Sequence, residues 1–314
     1  MSEHPSASKS SPSAVSREAE TAPAQAETRG KGSVVFVDRR GLESVNQRQP
    51  LGAYVRSLWV NRHFILLQAR SSAFTEGQGN FLGKLWLILD PVFQILIYTV
   101  VFGLILNTNR GIENFLGFLT LGVVYFRFLS KGITNGSGLV QKNRGVIDSF
   151  HFPRASVPIG TSVRAFFENS IPALVAVVGA FIFQGGHGFS WALTALPVLF
   201  VLMHVWGAGA TMIVARLTAF LPDAKNFIRV FVQGLFFISG IFFSIDRFNS
   251  HPLLADIMTL NPLYQFLSSV RAPVLDGLFP SPWQWVYLTC WSVGIFVIGL
   301  IYFWQAEGAY SRVR

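Results

Sequence analysis

The chain has 314 residues, 51% of them hydrophobic and only 13% charged, with a mean hydropathy of +0.44. Soluble domains carry roughly 25% charged residues, so this composition excludes an ordinary water-soluble enzyme or binding module. A formal net charge of +9 would suggest nucleic acid in a soluble protein, but here the cations gather at the ends of apolar segments, as beside a membrane, and no nucleic-acid partner is implied.

Residues 1–48 are rich in Ser, Ala, Pro and Glu and lack the apolar core of a signal peptide, so they are expected to form a disordered cytoplasmic tail. Residues 51–70, "LGAYVRSLWVNRHFILLQAR", are amphipathic at helical spacing. Leu51, Val55, Leu58, Ile65 and Ala69 share one face, and Arg56, His63 and Arg70 line another at intervals of seven. Too charged to span, this helix is expected to lie in the cytoplasmic interface with its cations towards lipid headgroups.

The next stretch, "FTEGQGNFLGKLWLILDP", resembles a phosphate-binding loop at first sight. That chemistry requires a glycine where Gln78 stands and a magnesium-binding hydroxyl where Leu85 stands, so any ATP is bound elsewhere. The glycines read instead as a hinge, within 49–85, that turns the chain into the first span. Lys84 and Trp86 then sit at headgroup level. Asp90-Pro91 falls near the start of that span, where a missing backbone donor costs little.

Six segments approach the roughly 20 helical residues that a bilayer core requires: 86–106, 114–136, 155–183, 191–215, 227–245 and 283–304. The sequence thus predicts an all-α polytopic membrane protein with a transmembrane domain over 86–304. The connections 137–155 and 216–226 carry Lys142, Arg144, Arg154, Arg216 and Lys225, which places them and both termini, including 305–314, in the cytoplasm. Cys290, the single cysteine, lies in an apolar run without a neighbouring base and reads as inert packing. His204 stands alone in the fourth segment, and no spacing suggests a metal or a catalytic constellation.

The order of an interfacial helix, "LGKLWLILDPVFQILIYTVVFG", "NRGVIDSFHFPRASVPIG" and "LNPLYQFLSSVRAPVL" resembles the membrane subunits of ABC-2 type transporters that export polysaccharides. These include O-antigen, teichoic-acid and galactan exporters. The resemblance covers roughly 50–310. It implies a plasma-membrane homodimer without enzymatic activity of its own, bound to two copies of a separate ATPase that carries ATP and magnesium. The implied cargo is a polyprenyl-diphosphate-linked glycan, and no cofactor is implied in this chain. The residues matching the family's ATPase-docking loop run from Asn143 to Arg154 and include Arg144, Asp148, Phe150, His151 and Phe152. The region 246–282 matches an external loop with short re-entrant helices, one starting at Asn261-Pro262. In two places the chain departs from its relatives. Arg127 and Lys131 stand where aromatics are more frequent, and Asp90 precedes the proline.

Charges inside spans are expensive, about 2.5–3.5 kcal/mol each on insertion scales. Counting 1.5 Å per residue puts Arg127 and Glu168 at similar depths, with Lys131 one turn from Arg127 on the same face. Two readings stay open: an internal Arg127–Glu168 pair with Lys131 and Arg164 reaching the inner surface, or a cationic strip for the lipid diphosphate. Tyr98, Phe102, Tyr125 and Phe126 are candidates to line a sugar path, with packing as the plainer role. A membrane-embedded glycosyl- or acyltransferase would cluster acids or histidines at one membrane face, and an ion-coupled carrier would show an inverted repeat. The acids here are scattered, and no second copy of any segment is visible.

Overall fold

The computed structural model describes residues 49–75, 85–105, 112–149, 153–183, 190–245 and 252–312. Among them there is no strand. The tail 1–48, with Lys84, Phe150, His151 and Phe152, lies outside the described residues.

The helix expected over 51–70 is two helices, α1 (Leu51–Val60) and α2 (Arg62–Thr75), which meet at Asn61. The side chain of Asn61 donates to the Ser57 carbonyl at 2.8 Å, satisfying one carbonyl that the α1 terminus leaves open. The buried face is Tyr54, Leu58, Ile65, Ala69 and Ala73, whereas Val55 points outward. Arg56, His63 and Arg70 are exposed, as expected, but so are Trp59, Val60, Phe64, Leu66 and Leu67.

The first apolar segment is α3 (Trp86–Tyr98), continued by a π-helical stretch, Thr99–Ile105. Pro91 lies inside α3, beyond the first turn, so its absent N–H does interrupt the ladder. Next come α4 (Phe115–Thr134), the short α5 (Leu139–Lys142) and α6 (Arg144–Ser149), and α7 (Ser156–Ile182). A 3₁₀ turn, Trp191–Thr194, opens α8 (Ala195–Phe220), and α9 (Ala224–Ile238) follows at once. α10 (Pro252–Thr259) and α11 (Pro262–Arg271) follow, and α12 (Pro282–Gln305) is the last long helix. Asn261 caps α11, accepting from the Leu263 N–H at 3.0 Å, with Pro262 in the first turn where its missing donor is harmless.

Among the described residues, four helical stretches are long and apolar enough to cross a membrane: Phe115–Thr134, Ser156–Ile182, Trp191–Phe220 and Pro282–Gln305. The fifth expected span is shorter than its apolar run, because α9 stops at Ile238 rather than reaching 245. Gly240 turns the chain there at φ +67°, and a Cβ would meet the Tyr264 ring at 2.7 Å, so only glycine fits. The fourth runs five residues further than expected. Arg216 therefore sits on α8, not in a loop, and its guanidinium binds the Tyr302 carbonyl and covers the Tyr302 ring.

α4 is buried on nearly every side over its apolar run from Phe115 to Phe126, as befits a central helix, and Arg127 and Lys131 interrupt that run further along. Small residues let its neighbours close in. A Cβ on Gly132 would lie 2.7 Å from Gly207 Cα, and one on Gly209 would lie 2.4 Å from the Ile295 carbonyl oxygen. Such close backbone approach is how helices associate where lipid removes the hydrophobic drive. Thr211 adds a hydrogen bond of 2.7 Å to the Gly132 carbonyl across the α4–α8 contact.

Candidate functional site

Arg127 does not pair with Glu168. Its guanidinium forms an ion pair with Asp90 of α3, and Gln94 donates to the same carboxylate at 3.4 Å. Glu168 is instead held by Arg164, one turn back on α7, at 2.6 Å. Depth along a span says nothing about the direction a side chain takes, and α3 rather than α7 lies beside this face of α4. The same count applied to the first segment puts Asp90 roughly 6 Å from the level of Arg127, further than Glu168, so depth favoured the wrong acid.

Both members of the pair are about half exposed (45% and 48%), so they look out of the helix bundle rather than into its core. Lys131 lies one turn away on α4 and is half-buried. The two departures from the sequence pattern are thus one feature: a carboxylate and a guanidinium that neutralise each other on an outward face.

The aromatic candidates divide. Tyr125 and Phe126 are core side chains, packed against Phe128 and Phe236 at centroid distances of 5.3 and 5.4 Å. Phe102 packs on Phe115 at 5.8 Å, and Tyr98 is half-buried beside it. Of the four, Tyr98 shares α3 with Asp90, two turns along the helix. His204 is a satisfied core histidine. Its Nδ1 donates to the Phe200 carbonyl at 2.8 Å, which leaves Nε2 to accept from the Asn169 amide at 3.1 Å. Among the described residues no group of three metal-ligating side chains exists. Cys290 is exposed rather than packed.

At the end of the bundle that carries α1 and the C-terminal segment, a polar knot replaces a rim. Tyr54 donates to Glu307 Oε2 at 2.8 Å and accepts from the Ala155 N–H at 2.9 Å. The Arg154 N–H donates to Glu307 Oε1 at 2.9 Å, and the Arg154 guanidinium binds the Glu307 carbonyl. Arg154, expected at the border of a docking surface, is thereby engaged within the chain. Burial pushes the Glu307 carboxyl and the Tyr54 phenol above their ordinary values. Of the expected docking loop, Arg144–Ser149 is helical, Arg144 is exposed, and the Asn143 amide caps the Leu139 carbonyl at 2.9 Å. Trp86, at the start of α3, is about half exposed.

At the opposite end Arg271 is fully enclosed. It donates to the carbonyls of Phe118, Gly240 and Ile241 and lies 3.4 Å over the Phe118 ring. It thereby ties α4 and α11 to the turn after α9.

Residues 67–275 match the model of the ABC-2 type transporter family. The chain belongs to that family. It has relatives of named role. The O-antigen export system permease protein RfbA of Myxococcus xanthus is 21% identical over 262 residues, covering 83% of this chain and 96% of the relative. Its namesake in Klebsiella pneumoniae is 24% identical, covering 62% and 74%. The polysialic acid transport protein KpsM of Escherichia coli is 26% identical, covering 73% and 87%. The family match spans α2 through α11, so the outward ion pair, α6 and the Arg271 tie all fall inside it.

Proposed function

We propose that this ABC-2 chain is the membrane-spanning half of an ATP-driven exporter that carries a lipid-linked polysaccharide across the plasma membrane. Two copies form the transmembrane unit, and each binds an ATPase subunit that holds ATP and magnesium. Both termini face the cytoplasm, α1 and α2 lie in the inner interface, and α10 and α11 dip back from the outer side. α6 and the following loop, through Asp148, Phe150, His151 and Phe152, dock on the ATPase.

The observation that carries this reading is the Asp90–Arg127 pair, a mutually neutralised charge on an outward face inside a span. Such a pair is costly against lipid and suits a face that meets a second copy or a hydrated path. Asp90 keeps the guanidinium neutralised at rest. A passing diphosphate, with more negative charge and more acceptor oxygens than one carboxylate, competes for the guanidinium fork and takes its place, with Lys131 one turn away as a second cation.

Loss of the gene tests the proposal. An exporter defect abolishes surface polysaccharide while lipid-linked glycan accumulates inside the cell, and a wild-type copy reverses both. Disappearance of the lipid-linked glycan itself would overturn the export reading in favour of a transferase.

A further inference from the structure

Between α2 and the first turns of α7 lies a partly open cavity of about 140 Å³, away from the pair of α3 and α4. Its polar wall includes Gln68 and Ser72 from α2 and Ser156, Thr161 and Arg164 from α7. Gly160 contributes space, since a Cβ there would meet only Ile65 Cγ2, at 3.7 Å. The Ser156 side chain is 7% exposed, and its Oγ has no hydrogen-bond partner among the described residues. A buried hydroxyl without a partner is costly, so one on a residue that lines a cavity points to a polar occupant.

The chemistry of the wall narrows the occupant. Hydroxyl and amide groups surround one guanidinium, whose orientation Glu168 fixes at Nε. The Thr161 hydroxyl already donates to the Val157 carbonyl at 2.9 Å, which leaves the guanidinium, the Ser72 and Ser156 hydroxyls and the Gln68 amide as a donor set suited to phosphate oxygens. Phe64 belongs to the same wall and is itself 54% exposed, next to the outward Leu66 and Leu67, so the lip of the cavity is apolar. An occupant with a phosphate at one end and hydrocarbon at the other satisfies both parts. The volume is well below the roughly 300–1,000 Å³ of pockets that enclose drug-sized ligands, which leaves no room for a saccharide beyond the phosphate.

We infer that this cavity holds the phosphate of a membrane glycerophospholipid, as a resident lipid that fastens α2 to α7. The inference needs only that the chain is embedded in a bilayer and does not depend on the exported cargo.

The full-length chain, delipidated in detergent, is titrated with dioctanoyl phosphatidylglycerol, dioctanoylglycerol, inorganic phosphate and farnesyl diphosphate, with bound lipid read by native mass spectrometry. The phosphatidylglycerol should bind saturably, with the phosphate-free lipid and free phosphate at least about tenfold weaker. Gly160→Met, which fills the space without touching a charge, and Arg164→Gln should each weaken it by about tenfold or more. If Arg164→Gln fails to fold because Glu168 is stranded, Gly160→Met alone decides. Equal binding of dioctanoylglycerol, equal binding of inorganic phosphate, or binding unchanged in Gly160→Met overturns the inference. So does a preference for farnesyl diphosphate, which would make the cavity a site for isoprenoid diphosphate.

Discussion

The Tyr54 phenol and the Glu307 carboxylate, 253 residues apart, share a hydrogen bond of 2.8 Å. Through it α1, the segment before α7 and the C-terminal turn become one unit, since the other carboxylate oxygen takes the Arg154 N–H. Burial is the largest influence on Glu307 and lifts its carboxyl above the ordinary 4.5, against the lowering pull of its hydrogen bonds and of Arg154. The native state therefore binds more protons than the unfolded one. This contribution to stability is complete below the ordinary glutamate range and is lost as pH rises through the lifted value. Glu307→Gln cannot titrate, so its unfolding temperature should lack that decline. It should also start lower, because one amide oxygen replaces two acceptors, at a cost of about 1–3 kcal/mol. Thermal unfolding in detergent across a pH series measures both.

Arg127→Ala strands Asp90 inside a span, at a cost of at most about 2.5–3.5 kcal/mol. Asp90→Asn should restore the level of folded protein, and Glu168→Ala should not, because Glu168 belongs to Arg164. Surface glycan normalised to folded protein then separates structure from transport. The Arg127→Ala, Asp90→Asn double variant is expected to be stable and inactive, whereas full export would make Arg127 purely structural.

Arg271→Met should be among the most damaging single changes outside the spans. It leaves the carbonyls of Phe118, Gly240 and Ile241 without their donor, at about 1–3 kcal/mol for each buried group that finds no other partner. Arg271→Lys should rescue only in part, because one ammonium lacks the planar fork that spans carbonyls of two elements. Fluorescence-detected yield of the monodisperse protein and its melting temperature are the readouts.

Glycine substitutions should sort by what surrounds them. Gly299→Ala places a Cβ 2.4 Å from the Gly209 carbonyl oxygen and must push α8 from α12, at about 1–3 kcal/mol. Gly294→Ala on the same helix meets nothing within 4 Å and should be neutral or slightly stabilising. Equal melting temperatures for the two variants would refute the close α8–α12 approach.

All six apolar segments of the sequence are helical, because a run of that composition has little other way to satisfy its backbone. Their ends were less legible. α9 stops where the Tyr264 ring crowds Gly240, a contact made by a residue 24 positions further on, and α8 continues because Arg216 finds the Tyr302 carbonyl. For the candidate site, the unusual residues Asp90 and Arg127 were visible but their partnership was not, since helical spacing fixes rotation within one helix and not between two. Tyr54 and Glu307 carried no local signal at all. Each reads as an ordinary residue near an end of its helix, and only the fold sets them together. Ser156 was equally silent, because the lack of a partner is a property of its surroundings.

The Glu307 knot also has a place in time. Tyr54, Arg154 and Ala155 leave the ribosome long before the glutamate that joins them, and domains assemble in the order in which they are made. Until Glu307 emerges, the segment ahead of α7 has its spans but not its fastening. A chain halted after α12 would enter the membrane with every long helix in place and that loop unpinned. The anchor that closes the loop is made after every long helix, so this face is ready only once Glu307 has emerged.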